Sequence, residues 1–280
     1  MKRMGVLGLG TMGSGIAQAA AESGFEVVGV EVSGALLEKG RKRVEAGIER
    51  RVNSGRMDSD GAAAVLSRIV YSTSTSDFSD CGVVVEAVFE EESVKSEALK
   101  SISAAVSESA VVASNTSSIS ITRLSGSVSH PERFIGMHFF NPVPVMKLLE
   151  VVRGYLTSDE TASKAMETGR RMGKEVVSVA DYPGFVSNRV LMPMINEAAF
   201  ALMEGVASRD DIDRVMKLGM NHPMGPLELA DFIGVDVCLD ILKVLYEGFR
   251  DPKYRPCPLL VNMVNAGRIG RKSGEGFYTY

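Results

Sequence analysis

The sequence predicts an α/β chain in two parts: a doubly wound, mostly parallel sheet followed by a second, all-helical domain. Three observations predict it. Short apolar strands alternate with helical stretches as far as the breaker cluster Asp181-Tyr182-Pro183-Gly184, a glycine-rich turn follows the first strand, and beyond the cluster the strand signal fades. Alternation of strand and helix builds a parallel sheet with helices on its faces, and a Pro-Gly cluster marks a boundary. The expected domains are 1–182 and 183–280.

Taken in order, the first strand covers 3–9, with Val6 and Leu7 in front of Gly8, and a helix runs from Ser14 to Glu22. The apolar run from Phe25 ends in Glu31, so the second strand covers 26–31. Further strands cover 68–71, 83–88, 110–114, 134–139, 147–152 and 175–180, and helices 35–53, 92–108 and 160–172. The strands near 134, 147 and 175 lack long helices at first, which predicts an antiparallel or mixed edge. Helices follow over 186–204, 208–218, 226–233 and 235–249. In the first of these, Met192, Ile195, Ala199 and Leu202 recur at helical spacing. The tail from Gly270 to Tyr278 holds too much glycine for a regular helix and reads as a loop.

Composition narrows the function. Of 280 residues, 45% are hydrophobic and 24% charged, the profile of a globular protein. A net charge of −4 argues against a nucleic-acid partner. No apolar run reaches the roughly 18 residues that a membrane helix needs, and a start close to the first strand leaves no room for a signal peptide. The 3 cysteines, Cys81, Cys238 and Cys257, are odd in number and far apart, which points to reduced thiols in a cytoplasm. None of the 3 histidines (His130, His138, His222) has the spacing of a helical zinc pair, so no metal is expected.

The run Gly8-Leu9-Gly10-Thr11-Met12-Gly13 lies between a strand and a helix, the context that a dinucleotide site requires. Gly8 allows the tight turn, Gly10 lets the backbone approach a pyrophosphate, and Gly13 lets helix and strand pack closely. The helix N-terminus adds unpaired N–H groups and a favourable dipole. Glu31 falls where an acid meets the ribose hydroxyls, roughly 20 residues on. Dinucleotide binding is therefore the leading reading, and a bland glycine-rich turn the lesser one.

His138 ends the apolar strand and precedes the turn at Asn141-Pro142. Ligands of open α/β sheets bind outside the carboxyl ends of strands. If the next strand pairs across the Asn-Pro-Val-Pro turn, Glu150 meets His138 side by side. A carboxylate on one imidazole nitrogen fixes the tautomer and leaves the other to exchange a proton with a hydroxyl. A half-buried strand histidine explains the spacing equally well. Asn115 to Ser118 follow another strand end, where they either bond a substrate oxygen or the nicotinamide, or cap a short helix over 120–124. Asn188 either donates to a carbonyl or caps its helix. Glu90 and Lys95 either reach the far end of the cofactor or form a solvated pair. The basic run Lys39, Arg41, Lys42, Arg43, Arg50 and Arg51 faces several ways on its helix, either towards the phosphates of a large anion or, by default, towards solvent.

Several blocks together resemble the 3-hydroxyacyl-CoA dehydrogenases: Gly8 to Gly13, Asn115-Thr-Ser-Ser, His138-Phe-Phe-Asn-Pro-Val-Pro-Val-Met-Lys-Leu-Leu-Glu150, Pro183-Gly-Phe-Val-Ser-Asn188, Pro223-Met-Gly-Pro226 and Gly274-Glu-Gly-Phe-Tyr. The resemblance spans essentially the whole chain and is nearest to the bacterial 3-hydroxybutyryl-CoA dehydrogenases. It implies NAD-linked, reversible oxidation of an (S)-3-hydroxyacyl-CoA to the 3-oxoacyl-CoA. It implies His138 as general acid/base, oriented by Glu150, with Ser117 and Asn188 at the reacting oxygen and thioester. Around NAD it places the glycine loop, Glu31, Glu90, Lys95, Asn115, Ser117, Asn141 and Lys272. A Rossmann-type first domain, a dimerising helical second domain, and a cleft between the domains are implied too. One departure stands out. Where relatives carry small polar and lysine side chains against CoA, this chain reads Gly47-Ile-Glu-Arg-Arg-Val-Asn-Ser54, which leaves Arg50 and Arg51 as the candidates for the CoA phosphates. The competing readings are a dehydrogenase of a free hydroxy acid or sugar acid, and a non-catalytic dinucleotide-binding protein.

Overall fold

The computed structural model describes residues 2–280. Contacts divide the chain into a unit ending at Asp181 and a second one, Tyr182–Tyr280. In the first unit, β1 (Arg3–Leu7) leads through the glycine turn into α1 (Thr11–Glu22), followed by β2 (Glu26–Val30), α2 (Gly34–Asn53), α3 (Ser59–Ser67) and β3 (Ile69–Ser72). Then come β4 (Val83–Glu86), α4 (Glu92–Ala105), β5 (Val111–Ser114), the short α5 (Ile121–Leu124), β6 (Phe134–Phe139), β7 (Leu148–Arg153), α6 (Asp159–Arg171) and β8 (Glu175–Ala180).

These strands form one 8-stranded sheet in the order β3-β2-β1-β4-β5-β6-β7-β8. The winding runs outward from β1 to β3, then reverses through β4, so the switch point falls at the carboxyl ends of β1 and β4. That is where open α/β sheets bind ligands. The inner strands are covered on both faces and correspondingly apolar. Val83, Val84 and Val85 of β4 are at most 1% exposed. The expected mixed edge is present: β6 and β7 pair antiparallel, and β8 returns parallel to β7.

Two helices go beyond the sequence expectation. The first, α3, is nine residues long with a glycine in its first turn, and Asp58 caps it by accepting the Gly61 N–H at 2.7 Å. The second, α11 (Pro258–Asn265), opens on a proline, which costs nothing at a first helical position because that N–H is unpaired anyway.

The second unit packs α7 (Ser187–Met203), α8 (Arg209–Gly219), α9 (Pro226–Ile233), α10 (Val235–Phe249) and α11 around its own core, including Ile195, Leu227, Leu242 and Leu260. The tail is the expected loop. Buried Asp231 pins it by accepting the Phe277 and Tyr278 N–H groups, each at 2.8 Å. All the cysteines are free and buried. Among the described residues no helix is long and apolar enough to cross a membrane, and no cluster of His, Cys, Asp or Glu is arranged to hold a metal.

Candidate active site

The glycine loop has the form its sequence demands. Gly8 sits at φ +89°, against the backbone of Ala87, and a Cβ on Gly13 would collide with the Gly8 carbonyl oxygen. Gly10 occupies the N-cap of α1, so no side chain bonds the first helical N–H groups, and no acid lies in the first turn. Glu31 follows β2 and accepts the Leu9 N–H at 2.6 Å. Arg43 donates to the Leu9 carbonyl at 3.3 Å from the other side. A tight turn with open N–H groups, flanked by a carboxylate, fits a dinucleotide pyrophosphate and its ribose.

His138 and Glu150 are direct partners in the antiparallel ladder. The imidazole Nδ1 lies 2.8 Å from Glu150 Oε2, with the residues 7% and 2% exposed. The hairpin fixes this contact, because paired residues of adjacent strands put their side chains on the same face. The Phe140 ring centroid is 4.6 Å from that of the imidazole. Asn115 Oδ1 accepts the Phe139 N–H at 2.9 Å, tying β5 to the end of the histidine strand. Ser120, rather than Asn115, caps α5 by accepting the Arg123 N–H at 3.2 Å.

The default picture of Glu90 and Lys95 as a solvated pair fails at Lys95. Its side chain is 1% exposed and its ammonium contacts Glu86 Oε1 at 2.8 Å and Glu90 Oε2 at 3.2 Å. Glu86, which the sequence reading passed over, is buried at the end of β4 and also accepts the Ser114 hydroxyl at 2.6 Å. The only signal for it was a charge closing a valine run. Glu90 in turn grips the loop after β5, accepting the Thr116 hydroxyl at 2.6 Å and the N–H groups of Ser117 and Ser118 at 2.9 and 3.2 Å. Burial pushes the Glu90 carboxyl up, but the Lys95 charge and the bonds from Thr116, Ser117 and Lys95 outweigh it and hold the pKa below the ordinary 4.5.

The basic run does not simply face solvent. Lys39, Lys42, Arg43, Arg50, Arg51 and Arg56 line one groove of about 840 Å³ together with Thr11, Gly15 and the segment from Asn141 to Val145. Arg56, beyond the helix end, was not anticipated. Arg41 turns away to Glu45, at 2.8 Å. In the second unit, Asn188 stands in the first turn of α7, but Val186 occupies the N-cap, so Asn188 is not the cap. Lys272 Nζ donates to Asp236 Oδ2 at 2.7 Å.

A switch-point glycine loop, an acid beside it at the end of the second strand and a carboxylate-bound histidine at a strand end define a dinucleotide-dependent oxidoreductase. Residues 3–182 match the family model for the 3-hydroxyacyl-CoA dehydrogenase NAD binding domain, and residues 184–280 match the model for the C-terminal domain. The chain belongs to the 3-hydroxyacyl-CoA dehydrogenase family, and its cofactor is NAD. A probable 3-hydroxybutyryl-CoA dehydrogenase of Deinococcus radiodurans is 53% identical over 99% of this chain and 100% of its own length. The 3-hydroxybutyryl-CoA dehydrogenase of Bradyrhizobium diazoefficiens is 49% identical over 100% of this chain and 96% of its own. The crystal structure of (S)-3-hydroxybutyryl-CoA dehydrogenase from Ralstonia eutropha superposes with a TM-score of 0.98 at 48% identity, covering 100% of this chain and 99% of that one.

Proposed function

We propose that this chain oxidises (S)-3-hydroxybutyryl-CoA reversibly to acetoacetyl-CoA, with His138 as the acid/base. The observation that carries the reading is the buried His138–Glu150 pair at the carboxyl end of β6. With Glu150 on Nδ1, proton exchange falls to Nε2, and the carboxylate stabilises the imidazolium formed when the substrate hydroxyl gives up its proton. Bound NAD supplies the hydride acceptor.

The Gly8–Gly13 loop, Glu31 and Asn141 hold the dinucleotide, and Lys272 is a further cofactor contact. Ser117 and Asn188 hold the reacting oxygen and the thioester. Glu90 orders the Ser117 loop, and Lys95 serves by holding Glu90. The groove cations, Arg50 and Arg51 among them, take the CoA phosphates, since guanidinium groups pair with phosphate oxygens in forked geometry. The helical unit serves substrate binding and pairs two copies into a homodimer, and the enzyme works in the cytoplasm. Names of relatives at about half identity over the full chain support the substrate.

Purified protein mixed with NADH and acetoacetyl-CoA is expected to consume NADH, read as loss of its near-ultraviolet absorbance. Turnover of free acetoacetate but not of the thioester would overturn the reading. Light scattering of the same sample tests the dimer, and a monomer mass would refute it.

A further inference from the structure

One buried cation has no part in the chemistry above. Lys174, between α6 and β8, is 8% exposed, and its ammonium donates to the carbonyl oxygens of Val143 and, at 2.8 Å, Met146. Among the described residues it makes no ion pair. Burial pushes its pKa below the ordinary lysine value, which the charge of Glu22 offsets in part. A buried charge satisfied only by carbonyls is a costly way to fill space that an apolar side chain would fill more cheaply. Its effect is better sought in what it holds.

It holds the turn that joins the His138 strand to the Glu150 strand. That turn closes on itself through the N–H groups of Val145 and Met146, both donating to the Pro142 carbonyl at 2.9 Å. The carbonyls of Val143 and Met146 are left to Lys174. Val143 is 2% exposed and packs on α1, where a Cβ placed on Gly15 would lie 3.1 Å from it. Asn141 to Val145 line the basic groove opposite the α2 cations.

We propose that Lys174 is a positioning residue for acyl-CoA: its ammonium clamps the 142–146 turn as a wall of the groove and so sets affinity for the CoA part without touching it. The inference rests on the reading of the groove as the CoA site.

Lys174→Met keeps the chain length and removes the clamp. The expected result is a KM for acetoacetyl-CoA and a Kd for free CoA raised about tenfold, the scale of a lost bond to a charged group. The kcat stays within about threefold and the Kd for NADH is unchanged, because the glycine loop is untouched. Lys174→Arg, which keeps the charge and donors, restores most of the affinity. Hydrogen exchange quickens at 143–147 in Lys174→Met. An unchanged KM, or equal losses in kcat, CoA and NADH binding as from general loosening, would overturn the inference. Should Lys174→Met not fold, Lys174→Gln carries the same comparison with the same refuting outcomes. Free CoA binding to Arg50→Glu checks the groove separately. If that variant binds CoA normally, the groove reading falls, and unaltered exchange at 143–147 in Lys174→Met still refutes the clamp.

Discussion

His138 and Glu150 face each other across one rung of the β6–β7 ladder, and the carboxylate meets the imidazole at 2.8 Å. The rung makes the pairing a property of the hairpin register rather than of side-chain flexibility. His138→Gln is therefore expected to fold and to bind NADH while kcat falls roughly 10²–10⁴-fold, the usual scale for losing a positioned acid/base. Steady-state turnover beside NADH fluorescence titration decides it. Near-normal turnover would remove the imidazole from the mechanism.

Glu150→Gln tests the partner. The amide is nearly isosteric, but it carries no charge to stabilise an imidazolium and no longer dictates which ring nitrogen bears the proton. Turnover is expected to fall, with a change in the pH dependence of kcat. A pH–rate profile that superposes on that of the parent enzyme would count against the pairing.

The parts that were readable before any coordinates share a physical cause. Strands and the glycine turn announce themselves through local periodicity and glycine chemistry, and the His138–Glu150 contact needed only a hairpin across Asn141-Pro142. Only the solvated alternative for Lys95 fails, because a lysine at a helix start usually reaches solvent, whereas its partner Glu86 closes an apolar strand. The Asn115 bond to Phe139 and the place of Arg56 in the groove were not legible, because both follow from how distant elements pack, not from neighbours in sequence. The groove was half legible, since cations on successive turns of α2 fall on one side only once α1 and the 141–145 segment are in place.

Glu31 bears on cofactor choice. Its Oε1 holds the Leu9 N–H at 2.6 Å, so the carboxylate stands beside the glycine loop. There it is expected to repel a 2′-phosphate, since like charges brought together cost several kcal/mol. Glu31→Ser is expected to narrow the preference for NADH over NADPH by at least about tenfold and to weaken NADH binding as the loop loses its anchor. A higher kcat/KM with NADPH in the parent enzyme would contradict this account.

The groove cations make a salt-dependent prediction. Exposed charge pairs are screened within about 10 Å at 0.1 M salt, so the KM for acetoacetyl-CoA is expected to rise with ionic strength. Arg50→Ala should raise it about fivefold at low salt, about 1 kcal/mol for an exposed ion pair, and flatten the salt dependence. Acetoacetyl-N-acetylcysteamine lacks the phosphates and should show neither effect. Equal sensitivity of both thioesters would place the phosphates elsewhere.

Glu90 sets an acid limb. Its pKa is held below the ordinary 4.5 by Lys95, Thr116 and Ser117 against the opposing effect of burial. A carboxylate whose folded pKa is depressed stabilises the fold above its unfolded pKa, and the contribution drains away as pH falls through the folded value. The parent protein should therefore lose Tm on acidification from about pH 4.5 downward more steeply than Glu90→Gln, which lacks the contribution throughout. The two Tm curves start apart at neutral pH and converge in acid. Because Glu90 holds the Ser117 and Ser118 N–H groups, the protection of that loop against hydrogen exchange, relative to the intrinsic rate at each pH, should fall over the same interval. Tm curves that stay parallel down to about pH 3 would show that another carboxylate governs the acid limb.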